Sequence, residues 1–256
     1  MKFSSIQHQT DWELLEKMIP FAEVLKQYHR YKAYHIQRIP QDGRALILVN
    51  HSLATYDILL LGYAIFSKLN RLPRGLADRN FYKNTKTAEW MQKLGVYEAN
   101  HQNAQQVLEN DELLLLAPGG TREAIRSSKE KYQILWDDRM GFAKLSIKTQ
   151  TPVILAASPN SDNLYEVKES PITKLVYKWF KFPLPIAKGL GDTIIPRPIK
   201  LAHYIHEPIY PPFWDKNEPL DEQMVKNFHD QVQTEMEEWM KRARVAFEEK
   251  ANEKTN

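Results

Sequence analysis

Ala45-Leu46-Ile47-Leu48-Val49-Asn50-His51 sets five consecutive apolar residues directly before two polar ones. A strand with one wet face alternates apolar and polar side chains. An unbroken apolar run marks a strand buried on both faces, as in parallel sheets covered by helices. The turn Gln41-Asp42-Gly43-Arg44 introduces the run. Asn50 and His51 therefore sit at the carboxyl end of a central strand, the edge where open α/β sheets gather their ligands.

Moving outward, a helical stretch runs from Thr55 to Leu69, followed by a short strand over Arg74 to Asp78 and helices over Thr85 to Leu94 and Asn103 to Glu109. Leu113 to Ala117 is a second fully buried strand and ends in Pro118-Gly119-Gly120. A helix over Gly141 to Gln150 leads into a third strand, Pro152 to Ala157, and Ile199 to Ile209 reads as one more. This alternation predicts an α/β fold, a mostly parallel central sheet flanked by helices. Upstream, Trp12 to Arg30 spaces its apolar residues as an amphipathic N-terminal helix kinked at Pro20. Downstream, Leu220 to Lys250 predicts a long C-terminal helix with Met224, Phe228, Val232, Met236, Trp239 and Met240 along one side. Neither a repeat nor a linker interrupts the pattern. The expectation is a single domain over 1–256, with a helical element over 1–33, an α/β core over 34–210 and the last helix over 220–250.

Among the 256 residues, 43% are hydrophobic and 26% charged, proportions that support a packed core rather than disorder. There is no cysteine, which excludes disulfides and thiolate metal sites. A net charge of +3 is too mild to argue for nucleic acid, yet suits an anionic membrane surface or a phosphate-bearing ligand. Met1 to Lys17 lacks the apolar core of an export signal and carries Asp11, Glu13 and Glu16. No window approaches 18 uncharged apolar residues. The expected location is cytoplasmic, with peripheral membrane association.

Two strand ends carry candidate chemistry. After the first comes Asn50-His51-Ser52-Leu53-Ala54-Thr55-Tyr56-Asp57. On a continuous helix, six residues would splay the His51 and Asp57 side chains by roughly 120°, so contact requires the intervening turn. If Asp57 accepts a hydrogen bond from one ring nitrogen, the other is free to take a proton from a hydroxyl. The alternative is a turn histidine beside an aspartate that complements a helix dipole. After the second strand, Pro118-Gly119-Gly120-Thr121-Arg122-Glu123-Ala124 allows a sharp bend and a concave set of amides for an oxyanion or phosphate, with Arg122 as a forked donor. A plain strand-to-helix turn is the other reading.

Taken together, these blocks resemble the first and third sequence blocks of the glycerolipid (lysophospholipid) acyltransferase superfamily. They look most like its neutral-lipid branch, with the type 2 diacylglycerol acyltransferases and phytyl ester synthases. The resemblance continues through Arg139-Met140-Gly141-Phe142, Thr151-Pro152-Val153-Ile154-Leu155, Pro196-Arg197-Pro198 and Glu207-Pro208-Ile209, and is weaker around Gly75 to Arg79. It spans roughly Tyr34 to Ile209. Two departures stand out: five residues separate His51 from Asp57 where most of the superfamily has four, and Gly119 stands where phosphate-acceptor enzymes place a glutamate.

The resemblance implies an O-acyltransferase with catalytic His51 and Asp57, and with Gly119, Gly120, Thr121, Arg122, Glu123, Arg79 and Arg139 binding substrate. The donor would be an acyl thioester, acyl-CoA or acyl carrier protein, serving as co-substrate, with no bound cofactor and no metal. The acceptor would be a lipid hydroxyl, a neutral alcohol such as diacylglycerol in preference to lysophosphatidic acid. Amides near Gly119 to Thr121 would stabilise the oxyanion. Tyr177-Lys178-Trp179-Phe180-Lys181-Phe182 and the helix before Arg30 are the candidate membrane anchors. A thioester hydrolase and a noncatalytic lipid-binding module remain alternatives. The absence of a Gly-x-Ser-x-Gly elbow and of His-Glu-x-x-His argues against serine and zinc hydrolases. Oligomeric state is not written in the sequence.

Overall fold

The computed structural model describes residues 10–53, 56–168 and 186–252. Its centre is a seven-stranded sheet in the order β1-β9-β6-β2-β5-β3-β4. The strands are β1 (Lys32–Tyr34), β2 (Ala45–Val49), β3 (Arg74–Ala77), β4 (Val96–Glu98), β5 (Leu113–Leu116), β6 (Val153–Ala157) and β9 (Ala202–Ile205). A separate antiparallel pair joins β7 (Glu166–Lys168) to β8 (Ile186–Lys188). From β6 through β4 every pairing is parallel, while β9 runs antiparallel to β6 and carries β1 parallel to itself. The mostly parallel sheet of the sequence reading is present, with an antiparallel turn-over at one edge.

All five residues of β2 are buried, which is why its apolar run is unbroken. Their alternation divides the core into two layers. Leu46 and Leu48 face the cluster holding Val107, Leu108, Trp136 and Phe142, with Val225, Phe228, Val232 and Met236 of the last helix. Ala45, Ile47 and Val49 face Leu60, Leu61 and Ile65 on the opposite side. The helices supplying these layers are α2 (Tyr56–Leu69), α4 (His101–Glu109), α6 (Gly141–Thr149) and α7 (Glu222–Asn252). Helix α3 (Thr85–Lys93) fills the connection between β3 and β4. Burying a Leu or Ile side chain contributes about 1.5–3 kcal/mol, so this central strand is a principal source of stability.

One expectation changes on contact with the structure. The strand expected over Ile199 to Ile209 is regular only at Ala202–Ile205, with a single further bridge between Ile209 and Val153. Pro208 has no N–H to give a ladder, so pairing is interrupted there. Helix α1 (Trp12–Tyr28) contains Pro20 and caps its start with Asp11, whose side chain accepts from the Leu14 amide. None of its residues is buried, and Phe21 and Val24 are exposed, as is Leu59 of α2. Among the described residues no helix is long and apolar enough to cross a membrane.

Candidate active site

Because β2, β5, β3 and β6 are parallel, their carboxyl ends open on one edge. That edge brings His51, after β2, beside the glycine turn after β5 and the short helix α5 (Gly120–Ala124) that follows it. The end of β2 is clamped to the end of β6 by the buried Asn50. Its amide donates to the Ser158 carbonyl and the Ser161 hydroxyl, each at 3.3 Å, and its oxygen accepts the Ser158 amide at 2.7 Å.

His51 is half-buried. Its Nδ1 lies 2.8 Å from the Ser52 carbonyl. A carbonyl only accepts, so Nδ1 carries the proton and Nε2 is the free lone pair. Among the described residues Nε2 has no hydrogen-bond partner. Burial lowers the imidazole pKa, Arg126 pushes the same way, and the Ser52 carbonyl and Asp57 oppose them. The ring rests neutral, as a general base must.

Asp57 is placed differently from the sequence reading. It is fully buried and accepts a hydrogen bond from the Ser52 hydroxyl on Oδ1, while its Oδ2 lies 3.4 Å from Nε2 of His203. The direct imidazole–carboxylate bond is replaced by Ser52, whose carbonyl takes the ring and whose hydroxyl takes the carboxylate. With five residues between them, the ring nitrogen is met first by the carbonyl of the next residue. Burial pushes the Asp57 carboxyl up, but His203 and Ser52 outweigh it and the net shift is downward. The ionised carboxylate still acts on His51 through space.

Glu123 also departs from its expected role. A carboxylate with no exposed surface cannot meet a substrate, and this one is spent inside. Oε2 accepts the His51 amide at 3.0 Å, Oε1 accepts the Leu135 amide at 3.3 Å, and Arg126 Nη1 lies 3.2 Å from Oε1. Glu123 thus holds the backbone of His51. Burial pushes its carboxyl up to about 7; Arg126 and the two amides oppose the rise, and Asp162 adds to it. Arg126 is itself forked onto Asp162 at 2.7 and 2.8 Å through Nη2, and reaches the Gln133 carbonyl at 3.1 Å.

The glycines serve this arrangement. A Cβ on Gly119 would sit 2.5 Å from Glu123 Cβ, displacing the carboxylate that anchors His51. Gly120 has φ +51°, and its Cβ would lie 2.8 Å from Arg139 Nη1. Arg139, expected at the substrate, donates to the Gly119 carbonyl and braces the turn. The Gly120 amide, expected among the oxyanion donors, is taken by the Ala117 carbonyl at 3.1 Å. Thr121 is half-buried and its carbonyl accepts the Ile125 amide. Arg122 is exposed, with its fork on Glu130 at 2.5 and 3.2 Å. Arg79 is exposed in the turn after β3, on the same edge, two strands from β2. The lysine-aromatic segment 177–182 lies outside the described residues.

Ser52, Arg126, Asp162 and His203 were not singled out from sequence. A serine flanking the histidine, and an arginine three residues after Glu123, were the available signals; His203 offered only a lone imidazole in an apolar strand.

A family model described as Acyltransferase matches residues 30–157, from just before β1 to the end of β6. A human protein named "DGAT1/2-independent enzyme synthesizing storage lipids" is 28% identical over 71% of this chain and 54% of its own length. "Phytyl ester synthase 1, chloroplastic" of Arabidopsis thaliana is 24% identical over 50% of this chain and 19% of its own. The chain spans about half the length of the first curated relatives it matches. Among solved structures, the 1-acyl-sn-glycerophosphate acyltransferase PlsC of Thermotoga maritima aligns with TM-score 0.55 at 18% identity, covering 88% of this chain and 79% of that one, a likeness of fold. The matched half of the chain contains both strand ends, His51 and the Glu123 carboxylate that anchors it, and this chain belongs to the acyltransferase family.

Proposed function

We propose that the chain transfers a fatty acyl group from an acyl thioester to the hydroxyl of a neutral lipid alcohol, with His51 as general base. The observation that carries this reading is the state of the His51 ring: neutral, its Nδ1–H committed to a carbonyl, its other nitrogen free at the sheet edge. The free Nε2 takes the acceptor's hydroxyl proton as its oxygen attacks the thioester carbonyl; the C–S bond breaks and the thiolate leaves with that proton. Asp57 stabilises the transient imidazolium through space. Arg122 and Arg79 are the exposed cations suited to the phosphates of coenzyme A or of a carrier arm.

A neutral acceptor is favoured by Gly119, which contributes no charge to the turn, and by the relatives named for storage lipids and phytyl esters. The reading also places the chain against a membrane from the cytoplasmic side. Phe21 and Val24 of α1, Leu59 of α2, and Ile194 and Ile195 are exposed. The Tyr28 hydroxyl donates to the Pro196 carbonyl at 2.9 Å, holding the isoleucine loop against α1.

The test presents purified protein with acyl-CoA and vesicles bearing diacylglycerol, a long-chain alcohol or lysophosphatidic acid, and reads free thiol together with the ester formed. Ester is expected with the neutral alcohols, and His51→Ala should lower the rate by about 10²–10⁴-fold. Thiol release unaffected by His51→Ala would remove the base; free fatty acid in place of ester would make the chain a hydrolase.

A further inference from the structure

His203 lies in β9, fully buried, between Ala202 and Tyr204. A buried imidazole must pair its nitrogens or bear the desolvation cost. Nδ1 lies 3.0 Å from the Tyr31 hydroxyl and Nε2 lies 3.4 Å from Asp57 Oδ2. Among the described residues neither Asp57 Oδ2 nor His203 Nε2 has a hydrogen-bond partner, so each is the available complement of the other across that gap.

The protonation pattern follows from Tyr31. Burial, and then the Asp57 charge, push its phenol well above the ordinary value, so it keeps its proton. A buried O–H seeks an acceptor, and Nδ1 is within reach. With Nδ1 accepting, the neutral ring carries its hydrogen on Nε2, aimed at Asp57.

We propose that His203, its tautomer set by Tyr31, is a positioning residue for acyl transfer: it keeps Asp57 ionised and oriented behind His51. This rests on the reading of His51 as the base. The titratable groups facing Asp57 are His51 from the turn after β2, His203 from β9, Tyr31 ahead of β1 and His29 beyond α1, while Arg126 acts on His51 from the other side. Without His203, burial of the Asp57 carboxyl is opposed mainly by Ser52, and its proton is retained to higher pH.

Profiles of kcat against pH for three variants test this. His203→Leu is expected to lower kcat about tenfold at neutral pH and, by weakening the Asp57 charge that holds the His51 pKa up, to move the acid limb to lower pH, with KM changed less than about twofold. His203→Gln, which keeps an N–H toward Asp57, should recover most of kcat and the original limb. Tyr31→Phe, which deletes one oxygen, should shift the limb the same way by less. A folded Leu variant with the wild-type profile, or a Gln variant no better than Leu, overturns the proposal. If the Leu variant fails to fold, a wild-type profile in Tyr31→Phe overturns it. Independently of turnover, long-range ¹H–¹⁵N spectra of the histidine rings should show His203 as the Nε2–H tautomer, and an Nδ1–H tautomer overturns it. Should the wild-type protein transfer no acyl group, the function falls while the spectrum still decides His203.

Discussion

His51 is held from two sides by unlike devices. On the β5 side, Glu123, Arg126 and Asp162 form a buried ion cluster whose acidic end grips the His51 backbone amide. On the β9 side, Ser52, Asp57, His203 and Tyr31 form a polar network whose 3.4 Å contact is longer than a good hydrogen bond. The first is closed and fixes where His51 is. The second is looser and sets the field the ring feels. Position and charge are thus assigned to different parts of the sheet edge.

The largest expected effect comes from breaking the closed side. Arg126→Met strands Glu123 and Asp162, whose side chains are 0% and 7% exposed. Removing one partner of a buried ion pair costs about 3–5 kcal/mol, and urea unfolding should show a loss of that size. The corresponding cut on the other side, Ser52→Ala, removes one donor to Asp57 and should cost about 1–3 kcal/mol. Equal losses would erase the distinction between the two devices.

The two sides also titrate in opposite senses. Glu123 is raised from 4.5 to about 7, so the folded state holds its proton more tightly. Its contribution to stability is full below pH 4.5 and is lost as pH rises through about 7. Asp57 is lowered from 3.8, so its contribution is present above that value and is lost as pH falls through the folded value. Relative to Glu123→Gln, the wild type should lose up to about 3 kcal/mol between these limits, at 1.36 kcal/mol per unit. Relative to Asp57→Asn, loss should occur only in acid. Denaturation curves collected against pH check both, and parallel curves for the two variants would show that the sides are not separate.

The sequence made some of this legible and concealed the rest for identifiable reasons. The β2 run could be read because burial on both faces leaves no polar residue to interrupt it. Strands β1 and β4 span three residues each, too short to display a period. The position of His51 and the glycine turn on one edge followed from parallel strands. The roles of Arg122 and Glu123 did not, although they are adjacent: one helical residue turns about 100°, which sends Arg122 to solvent and Glu123 into the core. Asp57 was singled out, but its partner is not the one expected, because His203 comes from a strand 146 positions later in the chain and no local spacing records it.

The smallest effect separates buried from exposed charge within the closed side's own turn. Arg122 and Arg126 are four residues apart, and both meet carboxylates. Arg126 is sealed between two of them; Arg122 meets Glu130 with side chains 45% and 30% exposed. Each partner stabilises the other's charged form, raising the Arg122 pKa and lowering that of Glu130. Water screens such a pair, so Glu130→Gln should alter unfolding by less than about 1 kcal/mol. It also releases the Arg122 fork. If that fork serves the donor's phosphates, KM for acyl-CoA should fall with kcat unchanged, and Arg122→Ala should raise it. A stability loss in Glu130→Gln comparable to that of Arg126→Met would mean that burial does not set the worth of charge on this turn.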